Sequence, residues 1–242
     1  MLAWRTVEQS LAAGRACGSA CARQPGRRVE KPAKSWSQGA VTDAAEPGAS
    51  PQELAESCVR FVREAVGFEL DYTPDTLPVL DHYVRSGVAA AAEAGRAQEQ
   101  LVALLAPAAG AYFGEVVRRR LAGARWYSGG DVYQDYRIEF EPFFLCFNPI
   151  GIAMEVAAQA DVGDWNAHFQ LLDEARPLVE RALQASGAVR TPDYYTFSVR
   201  FEVLQQVADL LGSLESARKQ RRSFGPDVYS AAHGEHGRRG EA

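Results

Sequence analysis

A recurring residue pair constrains this sequence more than any other feature: a residue with a short oxygen-bearing side chain stands directly before a proline. It occurs as Ser50-Pro51, Thr73-Pro74, Asn148-Pro149 and Thr191-Pro192. The oxygen can accept hydrogen bonds from the free N–H groups of a first helical turn. The proline lacks an N–H and already has a helical φ. Ser50 is also followed three residues later by Glu53, as in a capping box. Each pair therefore predicts the start of a helix.

These starts, together with apolar residues at helical spacing, predict about six helices. Two of the six are inferred from the apolar pattern alone. We expect Pro107 to break or kink the longer of these two, because it removes a backbone hydrogen bond and clashes with the preceding turn. The predicted helices cover residues 51–66, 74–86, 93–122, 149–160, 166–186 and 192–215.

The middle of the chain has a different pattern. In DVYQDYRIEFE, apolar and polar residues alternate, which is typical of a strand with one dry and one wet face. FFLCF is apolar at every position and indicates a strand covered on both sides. We predict a three-stranded antiparallel meander at 125–128, 132–141 and 143–147. Such a small sheet must pack on helices. The predicted fold class is therefore α+β, mostly helical, with about six helices packed on this meander.

The two ends differ in composition from the middle. Residues 1–49 are rich in Ala, Arg, Gly, Ser and Pro and show no sustained periodicity. We expect a disordered N-terminal extension, with a start codon placed too early or a transit peptide as alternatives. Residues 216–242 are expected to be a disordered tail, which leaves 50–215 as a single globular domain. No unbroken run of about 18 apolar residues occurs, so no membrane span is expected.

The predicted domain is acidic. Residues 50–215 contain 13 arginines and 24 acidic residues, a net charge of −11. This argues against nucleic-acid binding, which needs a clustered basic surface, and suits a basic protein partner. The four cysteines (17, 21, 58 and 146) have no zinc-type spacing. We predict a reduced, cytoplasmic protein, and the Ala and Arg bias suggests a bacterial source.

The stretch AYFGEVVRRRLAGARWY (111–127) raises the first question of function. Just before and within it, Gly110 and Gly114 are four residues apart beside the apolar stripe of a helix, where small residues let another backbone approach closely. Glu115 is within reach of Arg118 and Arg119. Such pairs on a wet helix face contribute only about 0.2–0.5 kcal/mol. We favour close packing and surface pairing over the alternative that Glu115 is an acid/base group.

Two arginines fall on the dry faces of predicted helices, Arg120 and Arg200. Each should either extend to solvent or have a buried acidic partner, and Asp71, Asp81 and the strand carboxylates are candidates. A structural ion pair is the plainer interpretation. The alternative is an anchor for a ligand, since a guanidinium grips carboxylate or phosphate in a fork. The candidate ligand-binding residues are Arg120, Arg200, Glu115 and Tyr112.

No catalytic, phosphate-binding or dinucleotide-binding motif is present, and we expect no cofactor and no metal site. His82 and His168 have no partner at ligand spacing in the sequence. The motif HGEH (233–236) lies in the predicted tail, where metal binding would be adventitious. The stretch DVGDW (161–165) is interpreted as a turn before a helix, because a calcium loop needs more oxygens.

The stretch YFGEVVRRRLAGARW, followed by an apolar strand and FNPIGIAMEV, resembles a pattern in bacterial cytosolic domains without an established activity. These domains have a Tyr-x-Gly-Glu helix, a tryptophan that opens a strand, and a proline-started helix after the sheet. Tyr112, Gly114, Glu115, Trp126 and Pro149 carry the resemblance, which covers residues 55–212. It implies the fold and no catalytic residue.

Three hypotheses of function follow. The first, which we favour, is a non-enzymatic protein-binding module, regulatory or immunity-like, with a basic partner. The second is a small anionic-ligand-binding domain or enzyme that uses Arg120, Arg200 and Glu115, and a pocket in which both arginines converge would favour it. The third is a homodimer formed through the glycine seam or a sheet edge.

Overall fold

The computed structural model describes residues 49–94, 98–129, 132–187, 189–220 and 222–239. The expectations for residues 1–48, including Cys17 and Cys21, lie outside these ranges. The described helices are α1 (Pro51–Val66), α2 (Leu77–Glu93), α3 (Gln98–Arg120), α4 (Pro149–Ala158), α5 (Arg176–Ala185), α6 (Thr191–Tyr194), α7 (Phe197–Ser216) and α8 (Pro226–Arg239). The strands are β1 (Ala124–Tyr127), β2 (Arg137–Phe140), β3 (Leu145–Phe147) and β4 (Gln170–Leu171).

The predicted α+β class is confirmed, and the predicted helix starts correspond closely to the structure. Ser50 and Glu53 form the capping box at α1. Asn148 caps α4 by accepting hydrogen bonds from the N–H groups of Ile150 and Gly151. The pair at Thr73 opens a short 3₁₀ turn, Pro74–Thr76, which leads into α2. Ser50 and Asn148 therefore cap their helices as predicted, whereas Thr73 makes no side-chain cap hydrogen bond and Arg190, not Thr191, is the N-cap residue of α6.

The longest helix, α3, is the centre of the fold. It packs most extensively against α1 and α4. It continues through Pro107, which lies inside it and does not break it. Residues 100–120 are long and apolar enough to span a membrane by length and composition, but 83% of the apolar window is buried within the protein. This burial is typical of the core helix of a folded domain.

The sheet has four strands in the order β1-β2-β3-β4, all antiparallel, where three were predicted. The fourth strand comes from the predicted helix 166–186, of which only Arg176–Ala185 is helical. Ahead of α5, Ala167, Phe169 and Leu171 are buried in alternation, which is a strand period and not a helical one. Strand β4 pairs with β3 and completes the sheet.

The predicted helix 192–215 is divided into α6 and α7 at Thr196. The Thr196 side chain accepts a hydrogen bond from the Val199 N–H and caps α7. Asp81 of α2 accepts hydrogen bonds from the N–H groups of Phe197 (2.6 Å) and Ser198 (3.2 Å). The carboxylate therefore satisfies two of the free donors of the first turn, and Asp81 is not a partner of Arg200.

The C-terminal segment differs most from expectation. We expected residues 216–242 to be disordered, yet Pro226–Arg239 forms α8. Tyr229 of this helix is fully buried, and its ring stacks on Phe144 with centroids 4.7 Å apart. Its hydroxyl donates to the Phe140 carbonyl (2.7 Å) and accepts from the Leu145 N–H (3.1 Å). The buried aromatic ring and these backbone contacts hold α8 on the sheet.

The position of α8 explains a second difference. The face of β2 that carries Arg137 and Glu139 was predicted to be wet. Both residues are nevertheless buried, with 8% and 1% of their surface exposed. The sheet therefore has two covered faces. Its inner face joins the main core, for example where Phe147 lies 6.4 Å from Phe113 between ring centroids. Its outer face lies under α8.

Candidate functional site

The four predicted ligand-binding residues do not form one site. Arg120 is exposed in the last turn of α3. The helical wheel placed it on the dry face, but Arg118, Arg119 and Arg120 are all exposed in the part of the chain that the structure describes. Arg200 is 1% exposed in α7 and forms an ion pair with Glu155 of α4. Arg120 and Arg200 therefore do not converge on one pocket, which was the observation that would have favoured the second hypothesis.

Tyr112 is fully buried and has a structural role. Its hydroxyl accepts a hydrogen bond from the Tyr72 N–H (2.8 Å) and lies 2.7 Å from the Thr76 hydroxyl. Tyr72 has a left-handed backbone with φ of 61°, which is unfavourable for a residue with a side chain. Burial raises the pKa of Tyr112 to about 12. Its hydroxyl therefore stays protonated and helps to hold the turn that precedes α2.

Glu115 is buried, with 1% of its surface exposed, and does not lie on a wet helix face as predicted. Arg118 donates to it from two nitrogens, at 2.9 and 2.8 Å. The Trp126 indole N–H of β1 donates at 2.9 Å, and a Cβ on Gly114 would come within 2.1 Å of the Trp126 ring. Gly114 therefore makes room for the ring that covers and binds Glu115. Three of the five residues that carry the family resemblance form this one contact.

The second glycine of the seam has a similar role. A Cβ on Gly110 would lie 2.5 Å from the Ile150 Cα and 2.7 Å from the Pro149 carbonyl oxygen. The prediction that Gly110 and Gly114 allow close packing is confirmed. Since α4 and Trp126 occupy this seam, a homodimer through it has no room. A homodimer through another surface stays a prediction.

We expect Glu115→Gln to lower the free energy of unfolding by about 1–2 kcal/mol near neutral pH, because it removes charge-assisted hydrogen bonds. Burial alone raises the pKa of Glu115, but hydrogen bonds from Arg118 and Trp126 outweigh it and place this pKa below the usual 4.5. The stabilisation is therefore complete above pH of about 4.5 and is lost as pH falls through the lower, folded-state pKa. Urea denaturation at several pH values measures this. Equal acid dependence in the variant and the natural protein would contradict it.

A cavity with a polar lining lies between the outer face of the sheet and α8. Its volume is about 380 Å³. The lining is mostly polar and comes from β1, β2, β3, β4, α8 and the loops at Asp135 and Asn166. The lining residues used below are Tyr127, Arg137, Cys146, Asn148, Gln170 and His233. We call this cavity the sheet–α8 pocket.

Arg137 is the charged group of the pocket with the least exposure. Its Nε donates to Glu139 Oε1 at 2.8 Å, and its guanidinium lies 3.7 Å from the centroid of the Tyr127 ring. The other oxygen of Glu139 accepts from Arg125 at 3.0 Å. Within the described ranges, the terminal nitrogens of Arg137 make no hydrogen bond. The side chain is thus fixed by two neighbours, while its two-pronged end stays available.

Other lining residues already make contacts that stabilise the fold. Asn148 donates to two backbone carbonyls, of Tyr133 (2.8 Å) and Gln134 (3.1 Å), besides capping α4. The Cys146 thiol lies 3.5 Å from Gln170 Oε1 and 3.7 Å from His233 Nε2. Burial raises the pKa of Cys146 to about 12. Despite its neighbouring histidine, the thiol is therefore protonated near neutral pH and is not a ready nucleophile.

Sequence reasoning missed this pocket because it placed residues 216–242 in a disordered tail. A signal was present: Gly225-Pro226-Asp227 can open a helix, and Tyr229 and His233 are four residues apart on one face of it. The HGEH motif begins in the same helix. Its first histidine contacts Cys146 and so is not in a loose tail.

Comparison with known proteins adds no relative, since no family model, curated protein or solved structure matches the chain. The fold and the pocket are therefore interpreted from this molecule's own geometry.

Proposed function

We propose that this protein binds a small anionic molecule in the sheet–α8 pocket, with Arg137 as the anion-binding group. The single observation that carries the proposal is the environment of the Arg137 side chain. It is 8% exposed, held by Glu139 and Tyr127, and has uncommitted terminal nitrogens facing a cavity. A buried guanidinium fork is well suited to bind a carboxylate or a phosphate in two hydrogen bonds.

The local charge supports an anion. Arg125 and Arg137 flank the single buried carboxylate of Glu139, and the carboxylate that lines the pocket, that of Asp135, is exposed and therefore screened by solvent. Arg137 itself is buried, so an ion pair at its guanidinium is screened less than one at the surface. Its volume of about 380 Å³ suits a molecule of metabolite size. An anionic ligand was the alternative to protein binding in the sequence analysis. The proposal keeps that ligand class and replaces Arg120, Arg200 and Glu115 with Arg137.

The test is a thermal-shift screen of the full chain with small carboxylates and inorganic phosphate, followed by calorimetric titration of any compound that stabilises it. We expect Arg137→Gln to weaken binding at least 10-fold, since hydrogen bonds to charged groups contribute about 1.5–3 kcal/mol. Arg137→Lys should also weaken it, because it keeps the charge and loses the fork.

The matched control is Arg120→Gln, which changes an exposed arginine outside the pocket. It should bind the ligand with unchanged affinity. Equal affinities for the Arg137→Gln and Arg120→Gln variants would contradict the proposal, and so would a screen in which no small anion stabilises the protein.

A second candidate function is recognition of a basic protein partner, for which the observation is the net charge of −11 over residues 50–215. Charge complementarity of this kind steers association and makes it sensitive to salt. A purified basic partner should therefore bind more weakly as ionic strength rises. An affinity that does not change with salt would contradict this candidate. The cytoplasmic location stays a prediction from the cysteine pattern.

A further inference from the structure

A second cluster of polar side chains lies around the buried ion pair of Arg200, separate from the lining of the sheet–α8 pocket. One potential ligand atom each from Glu155, Asp161 and His168 lie within 4.8 Å of one another. His168 was expected to lack neighbours at ligand spacing. The fold supplies them, because the loop after α4 brings Asp161 and His168 back to Glu155. His168 Nε2 lies 3.7 Å from Asp161 Oδ1.

The separation of His168 and Asp161 can be compared with that of two ligands in a metal centre. Zinc binds histidine nitrogen and carboxylate oxygen at about 2.0–2.2 Å, so two ligand atoms on one ion lie about 3–3.6 Å apart. The separation of His168 and Asp161 is therefore nearly that of two ligands on one ion. Asp161 is also oriented, since its Oδ1 accepts a hydrogen bond from the Gly163 N–H at 2.8 Å.

Glu155 gives an independent indication of a ligand. It is 1% exposed, and its Oε1 has no hydrogen-bond partner within the described ranges. Burial raises the pKa of Glu155 to about 7, although the Arg200 guanidinium and the Val162 amide both favour its charged form. A buried carboxylate oxygen without a partner is costly. A cation beside it would remove this cost.

Arg200 completes the arrangement from the other side. It donates to Glu155 Oε2 and also to the Tyr194 hydroxyl (2.8 Å), so Glu155 is held in place by a group that is itself fixed. Carboxylate ligands of metals are commonly oriented by such neighbours. Arg200 pairs with only one of the two carboxylates, Glu155, and a divalent ion between Glu155 and Asp161 would also pair with the second.

We propose that Glu155, Asp161 and His168 bind a divalent transition-metal ion of the Zn²⁺ type. One imidazole with two carboxylates suits such ions better than Mg²⁺, which prefers an all-oxygen shell and keeps its waters. With three protein ligands, one position of a tetrahedral ion stays open. Solvent reaches the site through Asp161, whose side chain is 43% exposed.

The experiment is calorimetric titration of the full chain, freed of metal with a chelator, with Zn²⁺ and separately with Mg²⁺. We expect saturable Zn²⁺ binding with a rise in melting temperature, and no effect of Mg²⁺ at the same concentration. Asp161→Asn should weaken the Zn²⁺ binding at least 10-fold. Asparagine has nearly the same shape as aspartate, and residue 161 is partly exposed, so this variant should fold normally. Its circular dichroism spectrum without metal should match that of the natural protein.

The control variant is His236→Ala, which removes one histidine of the HGEH motif and should leave the affinity unchanged. Nitrogen NMR shifts of the His168 imidazole on addition of Zn²⁺ provide a readout that a structural role alone would not give. The proposal is overturned if Zn²⁺ binding survives Asp161→Asn, is lost in His236→Ala, is equalled by Mg²⁺, or does not occur. None of these outcomes bears on the anion pocket, which is tested through Arg137.

Discussion

Replacing Tyr229 with alanine is expected to lower the free energy of unfolding by about 3–5 kcal/mol, the range for deleting a large buried aromatic side chain. Tyr229 is fully buried, stacks on Phe144 and bonds to the backbone of β2 and β3 through its hydroxyl. Removing it leaves a cavity and unsatisfied backbone groups at Phe140 and Leu145. Urea denaturation followed by tryptophan fluorescence measures the loss.

Two further variants separate the causes. Tyr229→Phe keeps the ring and should cost less than the alanine variant, since it removes only the hydroxyl contacts. Val228→Ala changes the preceding residue, which is 41% exposed, and should be close to neutral. Faster amide exchange across residues 226–234 in Tyr229→Ala would show that α8 has left the sheet. An alanine variant as stable as the natural protein would contradict the position of α8.

Replacing Gly110 with alanine is the second large change, with an expected loss of about 1–3 kcal/mol from overpacking. Alanine is the better helix former by about 1 kcal/mol, so propensity alone predicts the opposite sign. We expect the steric clash of the new Cβ with α4 to outweigh the gain in helix propensity. The new Cβ would lie 2.5 Å from the Ile150 Cα and 2.8 Å from its nitrogen, and backbone atoms cannot rotate away as a side chain can.

Gly212 of α7 is the matched control. A Cβ there would have its nearest neighbour, a Phe143 ring atom, at 3.8 Å, which is ordinary contact. Gly212→Ala should therefore leave the stability unchanged or raise it by up to about 1 kcal/mol. Chemical denaturation of both variants compares the two glycines directly. A Gly110→Ala protein more stable than the natural one would show that α3 and α4 are not in close contact.

Local rules predicted much of the fold. Caps and prolines are read from neighbouring residues, so the starts of α1 and α4 follow from Ser50 and Asn148. The close packing at Gly110 and Gly114 also follows from the sequence. Glycine destabilises a helix relative to alanine, so two glycines on one side of a helix indicate that another group packs closely there. What those glycines contact, the start of α4 and the ring of Trp126, depends on tertiary structure and was not predictable from spacing.

The errors about burial have one physical origin, which is that burial is set by elements distant in the sequence. Arg137 and Glu139 alternate with apolar residues as a solvent-facing strand does, and only the presence of α8 makes their face dry. The helical wheel likewise assigned Arg120 to a dry face. A wheel gives the direction of a side chain around the helix axis, but it does not show whether another element packs against that part of the helix. Arg200 was correctly placed in the interior, while its partner Glu155 lies 45 residues away in sequence.

The most direct test of the anion pocket is to observe the guanidinium of Arg137. Arginine side-chain Nε–Hε resonances can be followed by NMR while inorganic phosphate, or a carboxylate from the thermal-shift screen, is added to the full chain. We predict a saturable shift of the Arg137 resonance, with no shift of Arg120. A ligand that saturates the protein while the Arg137 resonance stays unchanged would contradict the account.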